Sequence, residues 1–475
     1  MRISLRLLIL PTIIAGSWIS TTCAEEFKLN GHTFTVPEGF EVVPSAGPPL
    51  VDRPISASFD EDGYLYVTDS SGSNDPVEVQ VKERPHRIVR LEDSDGDGVF
   101  DKSVVFADKL MFPEGALWHD GSLYVAAPPE IWKFTDEDGD GRADRREVWF
   151  DGKTLTHCAN DLHGPYLGRD GWMYWCKGAY AEQTYERPGR APWVTQAAHI
   201  FRRRPEGGPV EPVMTGGMAN PVDVVFTPGG ERIFTTTFLT RPHAGLRDGL
   251  IHAVYGGVYG QDRPSLKDHP RTGPLMPVLD HLGAAAPCGL ACLQSDQLGD
   301  GYQHNLMTCQ FNMQKVSRHV LREAGATFVS ETSDFLTSDN RDFHPTDVIE
   351  DADGSLIVVD TGGWYKLCCP TSQLWKPDIL GAIYRIRRKG SHAVDDPRGK
   401  NIKWQSLDAA ELCKLLNDRR QAVRRRASQR LAKSGNDAVG VLRNVLASAS
   451  DGGQRREAVW TLTKISSPEA RTAVR

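Results

Sequence analysis

The feature that most constrains this chain is a short theme that returns six times: apolar, β-branched and aromatic residues flanking an Asp-Gly or Gly-rich turn, the pattern a hairpin requires. Its clearest copy runs from Ile55 to Phe59, turns at Gly63 and leaves through Tyr64 to Asp69. Further copies turn at Gly121, Gly171, Gly230, Gly301 and Gly354, so that successive turns stand 50 to 71 residues apart. That interval is one four-stranded blade with variable loops, and six copies predict a mainly β chain folded as a six-bladed β-propeller. A β-sandwich would space its strands more closely and evenly and would show no recurrence at blade length. A last strand-like run, Gly381 to Arg387, is suited to closing the ring.

Past Trp404 the apolar period changes to 3.6. Asp408 and Glu411 form a capping pair, and Leu412, Leu415 and Leu416 mark an apolar face. A second helix carries Val423, Ala427 and Leu431, a third Val441, Leu442 and Val445, and a fourth repeats the second with Ala458 and Leu462 after an offset of 31 residues. The layout is that of HEAT-like helix pairs. Ser467, Pro468 and Glu469 open a further helix that the chain ends inside, so the sequence reads as a truncated array or a fragment. The expected organisation is a signal peptide over 1–24, a propeller over 25–390, a linker over 391–405 and incomplete helical repeats over 406–475.

At the N-terminus, Arg2 and Arg6 precede an apolar run from Leu7 to Ile19 and small residues ending at Ala24, the layout of a secretory signal. The run is shorter than the roughly 20 residues that cross a bilayer. An exported protein, periplasmic or extracellular and open to membrane association, is the expectation. Cys23 is a poor lipoprotein cysteine because Thr22 stands before it. The formal charge of -7 becomes -9 without Arg2 and Arg6, which argues against a nucleic-acid partner. Eight cysteines remain after Ala24, and in an exported chain disulfides are allowed, Cys158 with Cys176 and a pair among Cys288, Cys292 and Cys309 being the candidates.

Two segments use one nine-residue pattern. Asp93, Asp95, Asp97 and Asp101 stand at its positions 1, 3, 5 and 9 with Gly98 at 6, and Asp136, Asp138, Asp140 and Asp144 repeat it with Gly141. Four carboxylates can wrap a hard cation, the glycine permits the sharp turn, and the carbonyl of Val99 or Arg142 at position 7 adds an oxygen. Glu147 at position 12 supplies a further ligand to the second loop, where the first has Val104. Strand-like runs flank both loops, which places them on hairpins of the first two blades. Asp and Gly also form solvated turns, but four carboxylates in one short loop repel each other without a cation, so Ca2+ in a structural role is expected.

The blade theme, the paired aspartate loops, the segment from Asn160 to Trp172 and the run from Gly381 to Ile386 together resemble the "membrane-bound dehydrogenase domain" proteins of Planctomycetes. Those proteins are similar to the soluble quinoprotein glucose/sorbosone dehydrogenases. The resemblance covers about Phe27 to Arg388, with HEAT-like repeats following. It implies pyrroloquinoline quinone (PQQ) over the propeller axis, a calcium that activates the quinone, and a histidine before the third blade's strand that takes the hydroxyl proton while hydride passes to the quinone. His163, beside Gly164, is the candidate base, with His157 the other histidine of the segment. Arg241 and Lys366 are candidate partners for the quinone carboxylates. The family's longer members end in a c-type haem domain. This sequence has no haem-attachment motif, so electrons would leave to a further segment, an electron-acceptor protein or the quinone pool.

Other polar residues near blade starts, His119, Asn220, Asp223, His243, His281, His344 and Asp347, are candidates to line the central cavity. The adjacent Cys368 and Cys369, beside Trp364 and Tyr365, suit either a rigid loop or the wall of a sugar site. Two functions are then open. A quinone-linked sugar or alcohol dehydrogenase predicts basic and histidine side chains converging at one mouth of the axis. A non-catalytic module, holding a glycan on the propeller or a protein partner on its helical repeats, predicts a cavity of aromatics and acids without a placed base.

Overall fold

The computed structural model describes residues 24–156, 162–187, 189–240, 245–363 and 375–475. Six blades of four antiparallel strands each stand around a central channel, and Val258–Tyr259 adds a fifth, parallel strand to blade 3. Blade 1 comprises Pro54–Phe59, Leu65–Asp69, His86–Glu92 and Lys102–Leu110, and blade 2 runs from Ala116–His119 to Arg145–Asp151. Blade 3 runs from Leu162–Leu167 to Gly207–Gly216, blade 4 from Asn220–Phe226 to Asp280–Gly283, and blade 5 from Pro287–Cys292 to Thr327–Ser338. Blade 6 contains Pro345–Glu350, Leu356–Asp360 and Ala382–Arg388. Its outer strand comes from the other end of the chain: Phe40–Ala46 pairs antiparallel with Ala382–Arg388. The run from Gly381 to Arg387 is thus the third strand of the last blade, and the N-terminal strand closes the ring. A hairpin of Ala24–Leu29 and His32–Pro37 extends blade 5 through Phe34 and Thr35.

The six repeated glycines all sit in the turn between the first and second strands of a blade, each with positive φ, from +75° at Gly121 to +98° at Gly63. A glycine adopts this conformation without the Cβ strain any other residue meets. The second strands, such as Leu65–Asp69, Met173–Lys177 and Leu356–Asp360, are buried at every position, because both faces of a blade are covered by its neighbours. The core is accordingly a ring of clusters between blades. Leu65 and Val67 pack with Ile357 and Val359 of blade 6, whereas Tyr66, between them in sequence, packs with Leu123 and Val125 of blade 2. The period-2 alternation of side chains is what lets one strand serve two interfaces.

Five helices follow, Ala409–Leu415, Gln421–Lys433, Asn436–Ser448, Gly452–Lys464 and Pro468–Val474, around a separate core that includes Trp404, Leu412, Leu431, Leu442 and Leu462. The capping box of Asp408 and Glu411 is formed, and Ser467 caps the last helix. The array lies on the face of the propeller that carries the turns between first and second strands. Lys433 pairs with Asp120 of blade 2, Arg169 of blade 3 with Glu457 at 2.9 Å, the Trp460 indole donates to Pro228 O of blade 4 at 3.1 Å, and Gln421 donates to Asp351 O of blade 6 at 3.2 Å. Arg398, in the connecting segment, reaches Asp351 and donates to Asp60 O of blade 1 at 3.2 Å. At Gly230 a Cβ would lie 2.5 Å from the Trp460 ring, so the glycine is also what lets that indole seat.

The disulfide expectation does not hold. Cys176, Cys288, Cys292, Cys309 and Cys413 are free thiols. Cys288 and Cys292 share one strand, and Cys288 Sγ points its hydrogen at Pro345 O, 3.2 Å away. Cys158, Cys368 and Cys369 lie outside the described residues.

Candidate active site

The first strand of every blade faces the axis, and together these strands line a cavity of about 1270 Å³. Antiparallel connectivity gives the channel two unlike ends. The turns between first and second strands, with the helical array on them, make a floor. The loops that enter each first strand make a mouth.

His163 is the second residue of the first strand of blade 3, and it lines the mouth. Glu114 stands in the same register before blade 2, one residue ahead of Gly115 as His163 is ahead of Gly164. A Cβ on Gly115 would lie 2.6 Å from the Gly164 backbone. That close approach of two glycines brings His163 Nδ1 to 3.5 Å from Glu114 Oε2. Both side chains are buried, and His163 Nε2 has no hydrogen-bond partner among the described residues. Burial pushes His163 down to about 4, against a smaller upward pull from its hydrogen bond to the Glu114 backbone. The ring is therefore neutral near pH 7. With the proton on Nδ1, beside the carboxylate, the lone pair is on Nε2.

Around it the mouth carries Asn220, Phe238, Arg247 and Phe311. Arg247 is buried against Asp248 at 2.5 Å and lies over the Phe238 ring, 5.0 Å from its centroid. Arg263 lies over the Tyr180 ring at 5.6 Å and donates to its hydroxyl. Deeper in the channel are two buried carboxylates, Asp223 and Asp347. Each accepts the backbone N–H of a neighbouring blade's inner strand, Asp223 from Leu290 and Asp347 from Ala57, at 2.8 and 2.9 Å. Burial raises both, and Asp347 raises Asp223 further. They clip adjacent blades together at the strand bulges.

Of the residues expected from the sequence, His163, Asn220, Asp223 and Asp347 line the channel. His281 is exposed on the outermost strand of blade 4, because the segment before it is the blade's edge rather than its start. His344 is buried beside Phe311 and bonded to Gly362 O at 2.8 Å, and neither it nor His119 lines the cavity. Arg241, Lys366, His157 and His243 fall outside the described residues. Glu114 was not foreseen, although its place before Gly115 matches that of His163 before Gly164.

The aspartate loops join the third and fourth strands of blades 1 and 2, on the floor side of the ring and away from the mouth. Their backbone hydrogen bonds match: Asp93 accepts from Gly96 and Gly98, and Asp136 from Gly139 and Gly141, at 2.7–2.8 Å. Each loop also reaches the preceding blade's outer strand, Phe100 N to Ser45 O and Ala143 N to Phe106 O, both 2.8 Å. Carboxylate oxygens of Asp93, Asp95 and Asp97 lie within 4.8 Å of one another, as do those of Asp136, Asp138 and Asp144. The other expected carboxylates, Asp101, Asp140 and Glu147, are not in these sets. Asp101 is turned to Ser94, Asp140 accepts from Arg142 N, and Glu147 pairs with Arg145 at 3.3 Å on the following strand.

The family described as a domain of unknown function (DUF7133) matches residues 28–390, and HEAT repeats match residues 409–475. Among solved structures, an oxidoreductase (glucose dehydrogenase) from Thermus thermophilus is similar with TM-score 0.50 at 18% identity, over 73% of this chain and 100% of that one. The holo PQQ domain of pyranose dehydrogenase from Coprinopsis cinerea gives 0.50 at 15% identity, over 75% and 97%. The PQQ-bound aldose sugar dehydrogenase from Streptomyces coelicolor gives 0.50 at 13%, over 74% and 100%. At these identities the likeness is one of fold. No curated protein matches the sequence.

Proposed function

The chain belongs to the DUF7133 family, and on that premise we propose that it is an exported, quinone-linked oxidoreductase that oxidises a hydroxyl group of a sugar or other alcohol, with Ca2+ held in its two aspartate loops. The observation that carries this reading is the His163–Glu114 pair: a buried neutral imidazole, its Nδ1 facing a carboxylate, at one mouth of a propeller channel. Such a group is a general base without further activation, because Nε2 is free to accept a proton. Glu114 holds the ring in the tautomer that leaves Nε2 unprotonated and stabilises the imidazolium once it forms. The likeness in fold to PQQ-bound sugar dehydrogenases supports the same reading.

The mouth fits a flat, anionic cofactor. Phe238, Phe311 and Tyr180 offer ring faces, and Arg263 offers guanidinium donors. The cavity exceeds the roughly 300–1,000 Å³ typical of a single small-ligand site, leaving room for substrate beside a cofactor. When bound, PQQ supplies the acceptor for the hydride on the carbinol carbon. His163 Nε2 would take the hydroxyl proton, and the two electrons and one proton of the hydride would go to that acceptor. Calcium, in loops that clip blade 1 to blade 6 and blade 2 to blade 1, stiffens the ring. A protein partner such as an electron acceptor has the outer helices of the array open to it, since the inner ones face the propeller.

Purified protein loaded with Ca2+ and PQQ is expected to reduce an electron-acceptor dye in the presence of some member of a panel of aldoses and alcohols. Chelation is expected to lower the unfolding temperature, with a loss of about 3 kcal/mol of stability for each loop that is normally filled at a hundredfold excess over its dissociation constant. A folded, calcium-loaded protein that turns over nothing with PQQ would sink the oxidoreductase reading and leave a binding module.

A further inference from the structure

The floor of the channel is supplied by helices, and its charges are distributed differently from those of the propeller. Gln421–Lys433 and Gly452–Lys464 hold equivalent places in successive helix pairs. Arg424, Arg425 and Ser428 of the first, and Glu457, Trp460 and Lys464 of the second, line the cavity. Spacings of three and four put each set on one helical face.

The carboxylates at this end are committed to the propeller. Glu457 takes Arg169 at 2.9 Å, Glu350 accepts the backbone N–H groups of Gln294 and Ser295 at 2.6 and 2.9 Å, and Glu61 accepts the Trp118 indole at 2.5 Å. The cations are not balanced in the same way. Lys464 Nζ donates to Ser428 Oγ at 2.8 Å, and Arg424 to the carbonyls of Asp418 and Arg419 at 2.7 and 2.9 Å. Arg425 makes no hydrogen bond or ion pair with any described residue. Arg425 keeps more than a third of its surface exposed and lines the cavity. Burial pushes Lys464 down to about 8, with Glu457 pulling it the other way. Lys464, partly withdrawn from bulk water without a carboxylate in contact, is costly unless something neutralises it, and Arg424 and Arg425 line the cavity beside it.

We propose that the floor of the channel is a binding site for a small polyanion bearing carboxylate or phosphate groups, with Arg425 and Lys464 as its charge partners and Arg424 and Ser428 beside them. A guanidinium matches either group with two parallel hydrogen bonds, and an ammonium adds a point charge. The ligand enters through the mouth, because the array covers the other end. The site is built jointly by propeller and repeats, and it stands independently of the redox chemistry above.

Isothermal titration of the full chain with inorganic phosphate and, separately, with citrate tests this. Saturable binding of at least one is expected, and which one distinguishes a phosphate from a carboxylate ligand. Arg425→Gln and Lys464→Gln should each weaken it about tenfold or more, the loss of a charge-assisted hydrogen bond, whereas Arg443→Gln, on the exposed side of an outer helix, should not. Thermal unfolding in anion-free buffer gives a second readout: Arg425→Gln should be at least as stable as the unaltered chain there, and should gain less when the anion is added. The proposal falls if neither anion binds the folded protein, if both floor variants bind as the unaltered chain does, or if Arg443→Gln weakens binding equally.

Discussion

The mouth and the floor of one channel show two ways of placing charge near a propeller axis. At the mouth, loops of the propeller hold a neutral histidine against a carboxylate, and Arg247 is neutralised by the aspartate next to it in sequence. At the floor, helices from a separate repeat array bring in guanidinium and ammonium groups that the propeller leaves unpaired. Two carboxylates of blade 6 register the difference. Asp360, at the mouth end of its second strand, accepts the backbone N–H groups of His344 and Gly362, and burial pushes it up to about 7. Burial also pushes Asp351, in the turn at the floor end, but Arg398 and Arg385 outweigh it and hold that carboxyl below its usual range. The mouth suits proton transfer by a neutral base, and the floor suits fixed recognition of an anion.

The largest effect that separates the two ends should come from His163→Gln. The amide keeps roughly the ring's size and polarity but cannot accept a proton at this pH, and general-base loss typically costs about 10²–10⁴ in turnover. Dye-linked turnover by the PQQ-loaded variant is the measurement, with circular dichroism to show the fold intact. Turnover within about twofold of the unaltered chain would move the reactive end away from the mouth and break the comparison. A lost acid limb in the kcat/KM profile, placed near pH 4 in the unaltered chain by the depressed His163, would sharpen it.

How much of this was written in the sequence differs between the same two ends. The blades were legible because Gly63, Gly121, Gly171, Gly230, Gly301 and Gly354 each need positive φ at one turn of a repeated unit. The place of His163 in the channel wall was legible from its segment. Glu114 was within reach, since it precedes Gly115 as His163 precedes Gly164. The outer strand of blade 6 was not, because Phe40–Ala46 pairs with residues at the far end of the propeller and nothing local announces that register. At the aspartate loops the motif was plain, but which carboxylates converge depends on competing partners such as Arg145 for Glu147. Arg424, Arg425 and Lys464 were hidden for a physical reason: the polar face of a helix reads as solvated until a second domain is docked on it.

A smaller effect tests that docking. Gly230→Ala puts a Cβ 2.5 Å from the Trp460 ring and places a non-glycine residue at φ +86°. Gly121→Ala shares the backbone strain, at φ +75°, but meets nothing within 4 Å. The difference between the two variants therefore isolates the contact with the array. It is expected to be roughly 1–3 kcal/mol in stability, the usual range for overpacking a fitted contact, with the helices of the array becoming more open to hydrogen exchange. Equal losses in the two variants would mean that the array does not depend on Trp460 for its seat.

The smallest effect is one of sign. Asp360 has its carboxyl raised in the folded chain, so between about pH 4 and pH 7 the unfolded chain binds fewer protons at this residue, and its contribution to stability falls as pH rises through that window. Asp351 has its carboxyl held down, so its contribution is present above the ordinary carboxylate range and fades as pH falls below it. Asp360→Asn keeps an oxygen for the two backbone N–H groups and removes the charge. It should therefore stabilise the protein by roughly 1–2 kcal/mol at pH 8, a discounted share of about 1.4 kcal/mol per pH unit, and the gain should vanish near pH 4. Denaturant unfolding at the two pH values reads this directly. A loss at pH 8 in place of a gain would mean that Asp360 is paired with a cation in the folded chain, and its contrast with Asp351, which Arg398 and Arg385 hold down, would fail.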